Sequence, residues 1–332
     1  MFPPRPPNPA ATTVHYPLFS LMLLFLTRKL SGSTDMLMGV FDELGVQAFR
    51  FNFDLFDHYK FLWTSGGFRI DDPLGRVCES SDITEMVFYK GLFAIDEPSE
   101  IDQGHEETKW IKSWLNTLYH SLWRWGADRR LVRLIHPYAV ACTKVKQMEA
   151  ARDIFPVPEW MLHFGFEPTP RRVIAKNLIG RTFEAGSAMM AGIVDRAMLD
   201  PAYPWFTQEI APGTHDATVL YVDGRVHSYQ FATPRGKLTD WRITQGTDAN
   251  QWVPWDAPEG FDDKVRQLMD RLGLKFGRLD FIVGEETEPQ FLEVNPCGQF
   301  GWLDEDGPLP LHHEVASAIL DPATTLEGRL LG

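Results

Sequence analysis

Three side chains near the carboxyl end of the sequence, Asp280, Glu293 and Asn295, have the types and spacing of a metal site. They lie in two apolar segments, RLDFIV and QFLEVN, which the stretch GEETEP separates, so we predict two antiparallel strands joined by a loop. Because alternate side chains of a strand point to the same face, Glu293 and Asn295 share a face, and Asp280 can join them from the partner strand. Two carboxylates and an amide oxygen form a hard oxygen site that suits Mg²⁺, with water and phosphate oxygens as its other ligands. From spacing alone, acidic side chains that merely face solvent remain an open alternative.

The beginning of the sequence has the pattern of an α/β domain. After a Pro-rich stretch at 1–15, an apolar strand ends at Leu26, a helical run covers 35–44, and a second apolar stretch covers 46–52. This order predicts a βαβ unit. The Pro-rich stretch is expected to be an extended tail.

Further helices and strands are expected between this unit and the hairpin. Helices are predicted at 143–152 and 261–272, and strands at 172–176 (RVIAK), 205–210 (WFTQEI), 218–222 and 226–232. Residues 177–192 carry three glycines after a strand, and we predict a mobile loop over phosphates there. This loop is not a Walker motif, because GxxxxGK[ST] is absent.

An apolar stripe at helical spacing lies within 106–125. Its members are Trp110, Trp114, Leu118, Leu122 and Trp125. An aromatic platform for bases is the alternative to a packed core, but no basic face accompanies the tryptophans. We therefore predict that the stripe packs in the core.

Composition narrows the class of protein. The chain has 332 residues, of which 44% are hydrophobic, and a net charge of −13. A nucleic-acid binder needs a basic surface, so we expect no nucleic-acid partner. The three cysteines lie far apart and form no CxxC pair, which argues against a disulfide framework and favours the cytoplasm. The apolar run at 18–26 is too short to span a bilayer and lacks the flanks of a signal peptide, so we expect no membrane partner.

Several motifs together resemble the ATP-grasp ligases, and specifically the peptide maturases that make graspetides, such as the microviridin ligases. LDFIV followed by FLEVNPCGQFGWLD resembles their carboxyl-terminal signature, and LFLTRKLSGSTDMLMGVFDELGVQAFRFN resembles their amino-terminal domain. TKVKQMEAARDIFPVPEW, VIAK, WFTQEI and TDWR resemble, in this order, the first ATP-grasp helix, the phosphate-binding strand, the adenine hinge and a short Asp-x-Arg motif. The resemblance implies an α/β (α+β) ATP-grasp fold that uses ATP and two Mg²⁺ ions.

The fold implied by the resemblance has three domains after the tail at 1–15. An amino-terminal α/β domain is expected at 16–135, a central lid subdomain at 136–206, and a carboxyl-terminal antiparallel-sheet subdomain with the metal site at 207–325.

The resemblance also implies the residues that hold the nucleotide. Lys144 and Lys176 should contact the phosphates of ATP, which together with the carboxylates carry more negative charge than magnesium cancels. Gln208, Glu209 and Ile210 should form the hinge region, where backbone groups of Glu209 and Ile210 read the adenine edge.

Catalytic positions follow from the same resemblance. Asp216 matches an acidic position near the nucleotide, Arg242 would face the acyl phosphate, and Asp240 would hold Arg242 in place; Lys176 also counts as catalytic. Relatives commonly have an arginine two residues after the acidic position, where this chain has Thr218. Two interpretations are open. The activity is weakened, or Arg242 or Arg235 takes the place of the missing arginine. Cys297 has no base placed by motif to activate it and is predicted to be a small buried residue.

The implied reaction is the activation of Asp or Glu side chains of a ribosomal precursor peptide as acyl phosphates, followed by ester or amide formation with Thr, Ser or Lys. The peptide's leader would dock on the surface, with Trp241 and Trp252 as candidate contacts, and a homodimer is a further expectation. Two alternatives stay open. One is a ligase for free amino acids or small acids, similar to glutathione synthetase. The other is a nucleotide- or peptide-binding protein with weakened catalysis.

Overall fold

The computed structural model describes residues 22–91, 106–136, 142–165, 170–176, 192–234, 252–304 and 310–321. The Pro-rich stretch, nearly all of the predicted Gly-containing loop, Arg235, Asp240, Trp241 and Arg242 lie outside the described residues. The helices are α1 (Gly32–Glu43), α2 (Glu106–Asp128), α3 (Lys144–Ala151), α4 (Phe261–Leu272) and α5 (Pro310–Leu320). The strands are β1 (Met22–Thr27), β2 (Gln47–Asn52), β3 (Lys60–Thr64), β4 (Gly67–Asp71), β5 (Val77–Glu79), β6 (Ile83–Phe88), β7 (Trp160–His163), β8 (Arg172–Lys176), β9 (Gly192–Asp195), β10 (Trp205–Gln208), β11 (His215–Val222), β12 (Arg225–Phe231), β13 (Trp252–Pro254), β14 (Phe276–Gly284) and β15 (Thr287–Asn295).

The predicted βαβ unit is confirmed. Strand β1 pairs in parallel with β2 and with β6, giving a three-stranded sheet in the order β2-β1-β6, and α1 connects β1 to β2. Four consecutive residues of β1, at 23–26, are at most 1% exposed, because both faces of this central strand are covered. Helix α1 begins three residues before the predicted start, since the amide of Asp35 already bonds the carbonyl of Ser31.

The prediction that the apolar stripe on α2 packs in the core is wrong for two of its tryptophans. Trp110 is 65% exposed and Trp114 is 54% exposed, whereas Leu118 and Leu122 are buried. The buried face is centred near Leu115. At about 100° per residue, Trp110 and Trp114 lie roughly 140° and 100° around the helix from that centre. Trp125 does pack inward, edge-on against Phe68.

This difference predicts unequal effects of substitution on α2. Leu122→Ala removes a fully buried side chain and should lower the free energy of unfolding by about 2–5 kcal/mol. Trp110→Ser removes an exposed one and should change it by only about 0.5 kcal/mol. Urea-induced unfolding of the two variants measures both values, and equal losses would contradict the burial assigned here.

The central sheet has the order β7-β10-β8-β9, and all of its pairs are antiparallel. The predicted strands at 172–176 and 205–210 are confirmed as β8 and β10, although β10 ends at Gln208. This sheet places Lys176, the last residue of β8, opposite Phe206 of β10.

The largest of the sheets among the described residues has five antiparallel strands in the order β13-β12-β11-β14-β15. One face packs against α3 and α4, which contribute Met148 and Leu268 to a shared apolar core with Val219 and Phe281. Helix α4 has the predicted bounds and ends at Gly273, whose φ of 68° is the left-handed conformation typical of a helix end. The other face of this sheet carries the polar residues considered below.

Within the described ranges, no helix combines the length and the apolar character that crossing a bilayer requires. The predicted domain boundaries stay predictions.

Candidate functional site

The predicted metal ligands lie together on the face of the five-stranded sheet that α3 and α4 leave uncovered. In the antiparallel register, Asp280 of β14 is opposite Glu293 of β15, and Arg278 is opposite Asn295. On its other side, Asp280 is opposite Thr218 of β11. Residues directly opposite each other in a sheet point to the same face. The hairpin therefore brings the two carboxylates and the amide to one place, as the spacing predicted.

An irregularity in β15 makes this arrangement compatible with a packed core. Asp280 is opposite Glu293, but the next residue of β14, Phe281, is opposite Phe291, so Leu292 is an extra residue, as in a β-bulge. Glu293 and Phe291 would share a face in a regular strand. With the bulge, Phe291 is fully buried in the core with Phe281, while Glu293 faces the site.

The three predicted ligands are joined by hydrogen bonds. Asn295 donates through Nδ2 to Asp280 Oδ2 at 3.1 Å and to Glu293 Oε1 at 3.2 Å. Arg278 Nη2 also donates to Asp280 Oδ2, at 3.1 Å. Lys144 Nζ forms an ion pair with Glu293 Oε2. Each carboxylate is thus already in contact with positive charge, which is the environment that a cation would supply.

The chemistry of these donors fits magnesium. Carboxylate oxygens and an amide oxygen are hard ligands, and a site with few protein ligands leaves positions for water and phosphate. Asn295 would have to turn its amide so that Oδ1 rather than Nδ2 faces the cation, since the amide nitrogen has no lone pair to offer. In the described part of the chain, no group of three or more His, Cys, Asp or Glu side chains is placed to hold a metal ion, so the proposed site depends on the amide of Asn295.

Two lysines set the charge state of Glu293. Burial alone would raise the pKa of its carboxyl, but the charges of Lys144 and Lys176, with hydrogen bonds from Lys144 and Asn295, lower the pKa to about 2. The two lysines therefore favour the ionised form of Glu293. The resemblance assigns both lysines to the phosphates of ATP, and both lie close enough to Glu293 for their charges to lower its pKa.

A buried glutamine that the sequence analysis did not single out positions Lys144. Gln147, on α3, is 3% exposed and bonds both backbone groups of Val294, donating to its carbonyl at 2.9 Å and accepting from its amide at 2.8 Å. Its Nε2 also donates to the carbonyl of Cys142. These bonds fix α3 against β15 between Glu293 and Asn295. The signal in the sequence that could have identified Gln147 is a single polar residue beside Met148 on the buried side of a short helix.

The predicted hinge residues differ in their surroundings. Gln208 is 2% exposed, and its Nε2 lies 3.6 Å from Met148 Sδ. The amide of Glu209 donates to the carbonyl of Glu159 at 2.7 Å, so that donor is already engaged. Ile210 is 43% exposed. Their contacts with adenine stay predictions, as does the nucleotide role of Asp216, which lies on the same sheet face as Thr218, two residues along β11.

Thr218, which stands where relatives commonly have arginine, is fully buried. Its hydroxyl lies 3.0 Å from Asp280 Oδ1 and 3.2 Å from the carbonyl of Leu279. Thr218 therefore orients Asp280 from the strand on the opposite side to Glu293.

The hydroxyl of Thr218 can be tested by substitution. Thr218→Val keeps the shape of the side chain but removes a hydrogen bond to a partly buried carboxylate, so we expect a loss of about 1 kcal/mol in the free energy of unfolding. Thr218→Ser keeps the hydroxyl and serves as the control. Urea-induced unfolding of both variants measures the effect. Equal free energies of unfolding for Thr218→Val and the parent chain would show that this hydrogen bond does not contribute to stability.

Cys297 follows this site along the chain but is not placed for nucleophilic chemistry. It is 9% exposed, lies 3.7 Å from the carbonyl of Phe88, and burial raises the pKa of its thiol to about 11. This agrees with the prediction of a small buried residue. Cys78 and Cys142 are also free and buried.

Comparisons with known proteins identify the fold. No protein-family model and no curated protein sequence matches the chain. Among solved structures, a RiPP-associated ATP-grasp ligase of Chryseobacterium gregarium, in complex with ADP and a leader and core peptide, is 20% identical with a TM-score of 0.74, over 94% of this chain and 100% of its own. The macrocyclase MdnC of Microcystis aeruginosa, bound with precursor peptide MdnA, is 22% identical with a TM-score of 0.71, over 91% of this chain and 99% of its own.

A further solved structure supports the same assignment. The ATP-grasp ligase PsnB, complexed with minimal precursor, Mg and ADP, is 14% identical with a TM-score of 0.67, over 92% of this chain and 97% of its own. These likenesses extend over nearly the whole length of each chain. They confirm the predicted fold: mixed helices and antiparallel sheets in the ATP-grasp arrangement.

Proposed function

We propose that this chain with the ATP-grasp fold is an ATP-dependent carboxylate ligase that modifies a ribosomal precursor peptide. It would activate Asp or Glu side chains of the peptide as acyl phosphates and join them to Thr, Ser or Lys as esters or amides. The observation that carries the proposal is the group of Asp280, Glu293 and Asn295, with Lys144 paired to Glu293 and Lys176 close enough for its charge to act on Glu293. The solved structures of the same fold that hold ADP and precursor peptides support it.

The described residues suggest how the site would work. Asp280, Glu293 and Asn295 would hold magnesium, which when bound offsets the negative charge of the phosphates. Lys144 is already held by its ion pair with Glu293, so it would bind the phosphates with little loss of side-chain freedom. Lys176 lies close enough for its charge to act on Glu293, and it would add a second positive charge beside the phosphates. Positioning and charge neutralisation would supply the catalysis, and no covalent bond to the enzyme is needed.

The partners follow from the same proposal. A precursor peptide with a leader would be the macromolecular substrate, and ATP with two Mg²⁺ ions the cofactors. The protein would act as a homodimer in the cytoplasm. It would have neither nucleic acid nor a membrane as a partner. Arg242, Asp240, Gln208, Glu209, Ile210 and Asp216 keep the roles that resemblance implies for them.

Incubation of the purified chain with ATP, Mg²⁺ and an Asp/Glu-rich peptide encoded beside it tests the proposal. We expect the mass of the peptide to fall by one water per linkage while ADP is released. An unchanged peptide mass together with no ADP release would contradict it. ADP release with free amino acids or small acids, in the absence of peptide, would instead favour the small-acid ligase, and binding of nucleotide without any turnover would favour a weakened enzyme.

A further inference from the structure

One tyrosine, Tyr89, connects the amino-terminal sheet to the segment that follows the proposed metal ligand Asn295. Tyr89 comes directly after β6, and its amide donates to the carbonyl of Leu26 in β1 at 3.0 Å. The side chain is fully buried, and its ring lies edge-on against Phe276 of β14, with the ring centroids 6.3 Å apart. Both the backbone and the ring of Tyr89 are therefore held, which keeps its hydroxyl in one place.

The hydroxyl of Tyr89 has a backbone partner in the segment after β15. It donates to the carbonyl of Gly298 at 2.8 Å, and Gly298 is itself buried. Burial raises the pKa of Tyr89, so the hydroxyl stays protonated and can donate. A buried hydroxyl costs stability unless it has a hydrogen-bond partner. The bond therefore fixes the carbonyl of Gly298 as well as the side chain of Tyr89.

Gly298 in turn holds the backbone of Asn295. Residues 295–298 form a turn in which the amide of Gly298 donates to the carbonyl of Asn295 at 2.9 Å. Pro296 is the second residue of this turn, a position that suits its fixed φ. A Cβ added at Gly298 would lie 3.0 Å from the carbonyl oxygen of Asn295, 3.2 Å from its Cβ and 2.6 Å from the Cβ of Arg278. A hydrogen bond and close packing thus both connect Gly298 to the proposed metal ligand.

A second contact binds the same segment to α1. The hydroxyl of Ser33, in the first turn of α1, accepts hydrogen bonds from the amides of Phe300 and Gly301, both at 3.3 Å. Ser33 is buried. Elements that lie more than 200 residues earlier in the sequence therefore hold the chain shortly after Asn295.

We propose that Tyr89 is a positioning residue for magnesium binding by Asn295, on which it acts through Gly298. This inference rests on the proposed function, because Asn295 is a metal ligand only in that proposal. Magnesium requires nearly ideal octahedral geometry, so a small displacement of one protein ligand weakens its binding. Contacts that orient a metal ligand from outside contribute to metal affinity for this reason. Without the Tyr89 hydroxyl, the turn would be less restrained, and the amide of Asn295 would spend less time in the orientation that ligation needs.

Tyr89→Phe removes the hydroxyl and keeps the ring. We expect calorimetric titration of Mn²⁺ to give an affinity about five- to tenfold below that of the parent chain, as for the loss of one hydrogen bond that orients a ligand. Turnover of ATP with peptide should need about five- to tenfold more Mg²⁺ to reach half its maximum, while the rate at saturating Mg²⁺ stays within about twofold of the parent rate. General damage to the fold would lower the rate at saturating Mg²⁺ as well.

Tyr59→Phe is the matched control. The hydroxyl of Tyr59 also donates to a backbone carbonyl, that of Arg50 at 3.2 Å. It accepts a further hydrogen bond from Asn52, and its ring lies edge-on against Phe51, so these contacts are all with β2. Both this variant and Tyr89→Phe should unfold at a lower urea concentration than the parent chain, since each loses a hydrogen bond. Tyr59→Phe should nevertheless bind Mn²⁺ as the parent chain does.

Asn295→Ala tests whether the effect of Tyr89 depends on the amide of Asn295. This variant keeps Asp280 and Glu293, so it should bind Mn²⁺ more weakly than the parent chain but still measurably. Adding Tyr89→Phe to Asn295→Ala should then change the Mn²⁺ affinity by less than about twofold, because the effects of residues that act through one another are not additive.

Two results would overturn the inference. One is an Mn²⁺ affinity of Tyr89→Phe equal to that of the parent chain. The other is an equal loss of Mn²⁺ affinity from Tyr89→Phe with and without the amide of Asn295, which would assign the loss to a general effect on the fold. Either result could occur while the parent chain still modifies the peptide, so failure of this inference is distinct from failure of the proposed function.

Discussion

Replacing Glu293 with glutamine is expected to lower the rate of ATP turnover by about a thousandfold or more, because the proposed magnesium site would lose a charged ligand and catalysis there is proposed to depend on charge stabilisation. Glutamine has nearly the same shape but carries no charge. It would leave Lys144 and Lys176 facing a neutral side chain, and the site would then hold one carboxylate, Asp280, for magnesium. ADP release with peptide, ATP and Mg²⁺ measures the rate.

Glu288→Gln is a matched control for this substitution. Glu288 is on the same strand, β15, but is exposed, so its loss should leave turnover within about twofold of the parent chain, as is usual for surface substitutions. Calorimetric titration of Mn²⁺ into each variant adds a readout independent of turnover, and we expect Glu293→Gln to lose this affinity. Retention of both turnover and metal affinity in Glu293→Gln would remove Glu293 from the proposed site.

Replacing Lys144 with methionine is expected to weaken ATP binding by about 10- to 100-fold, as for the loss of one charge-assisted contact with a phosphate. Methionine keeps the length and much of the apolar stem of lysine, so α3 should still pack against β15 through Gln147. The affinity for ADP with Mg²⁺, measured by calorimetry, reports the effect directly.

Lys146→Met is the control for Lys144→Met. Lys146 is two residues further along α3, roughly 200° around the helix from Lys144, and is exposed. We therefore expect its substitution to leave the affinity for the nucleotide unchanged. Equal affinities of Lys144→Met and Lys146→Met would show that Lys144 serves only as the partner of Glu293.

The substitution Lys144→Met also has a consequence for stability at low pH. In the parent chain, the pKa of Glu293 is lowered from 4.5 to about 2, so the stabilisation from its ionised form is complete above about pH 4.5 and is lost as the pH falls toward 2. Without Lys144, burial is opposed by fewer positive charges and the pKa of Glu293 rises. We expect Lys144→Met to lose stability at a higher pH than Lys146→Met when both are unfolded by acid.

The periodic and capped segments of this protein could be predicted from the sequence alone. Helix α4 has the predicted bounds because its apolar residues recur at helical spacing and Gly273 ends it with a left-handed φ. The hairpin of β14 and β15 and the common face of Asp280, Glu293 and Asn295 were predicted from alternation along the strands. These features depend on interactions between residues that are near in sequence. The order of motifs, through resemblance, predicted the ATP-grasp fold.

Other features depended on which surfaces meet in the folded chain. Helical spacing grouped Trp110 and Trp114 with Leu122, but only the position of the neighbouring sheet decided that the buried face is centred near Leu115. The bulge at Leu292, which places Phe291 and Glu293 on opposite faces, is decided by the pairing of β15 with β14, whose register shifts between Asp280 and Phe281.

The same holds for the cations of the site. Lys144 and Lys176 come from different elements, α3 and β8, and Arg278 comes from β14. Their positions relative to Asp280 and Glu293 are set by packing between elements that are distant in sequence, through buried contacts such as those of Gln147 with Val294 and of Tyr89 with Gly298. The sequence by itself determined the local elements and the position of the three predicted metal ligands on one hairpin. Only the tertiary structure decided which charges face those ligands, because Coulomb interactions depend on distances in space and not on separation along the chain.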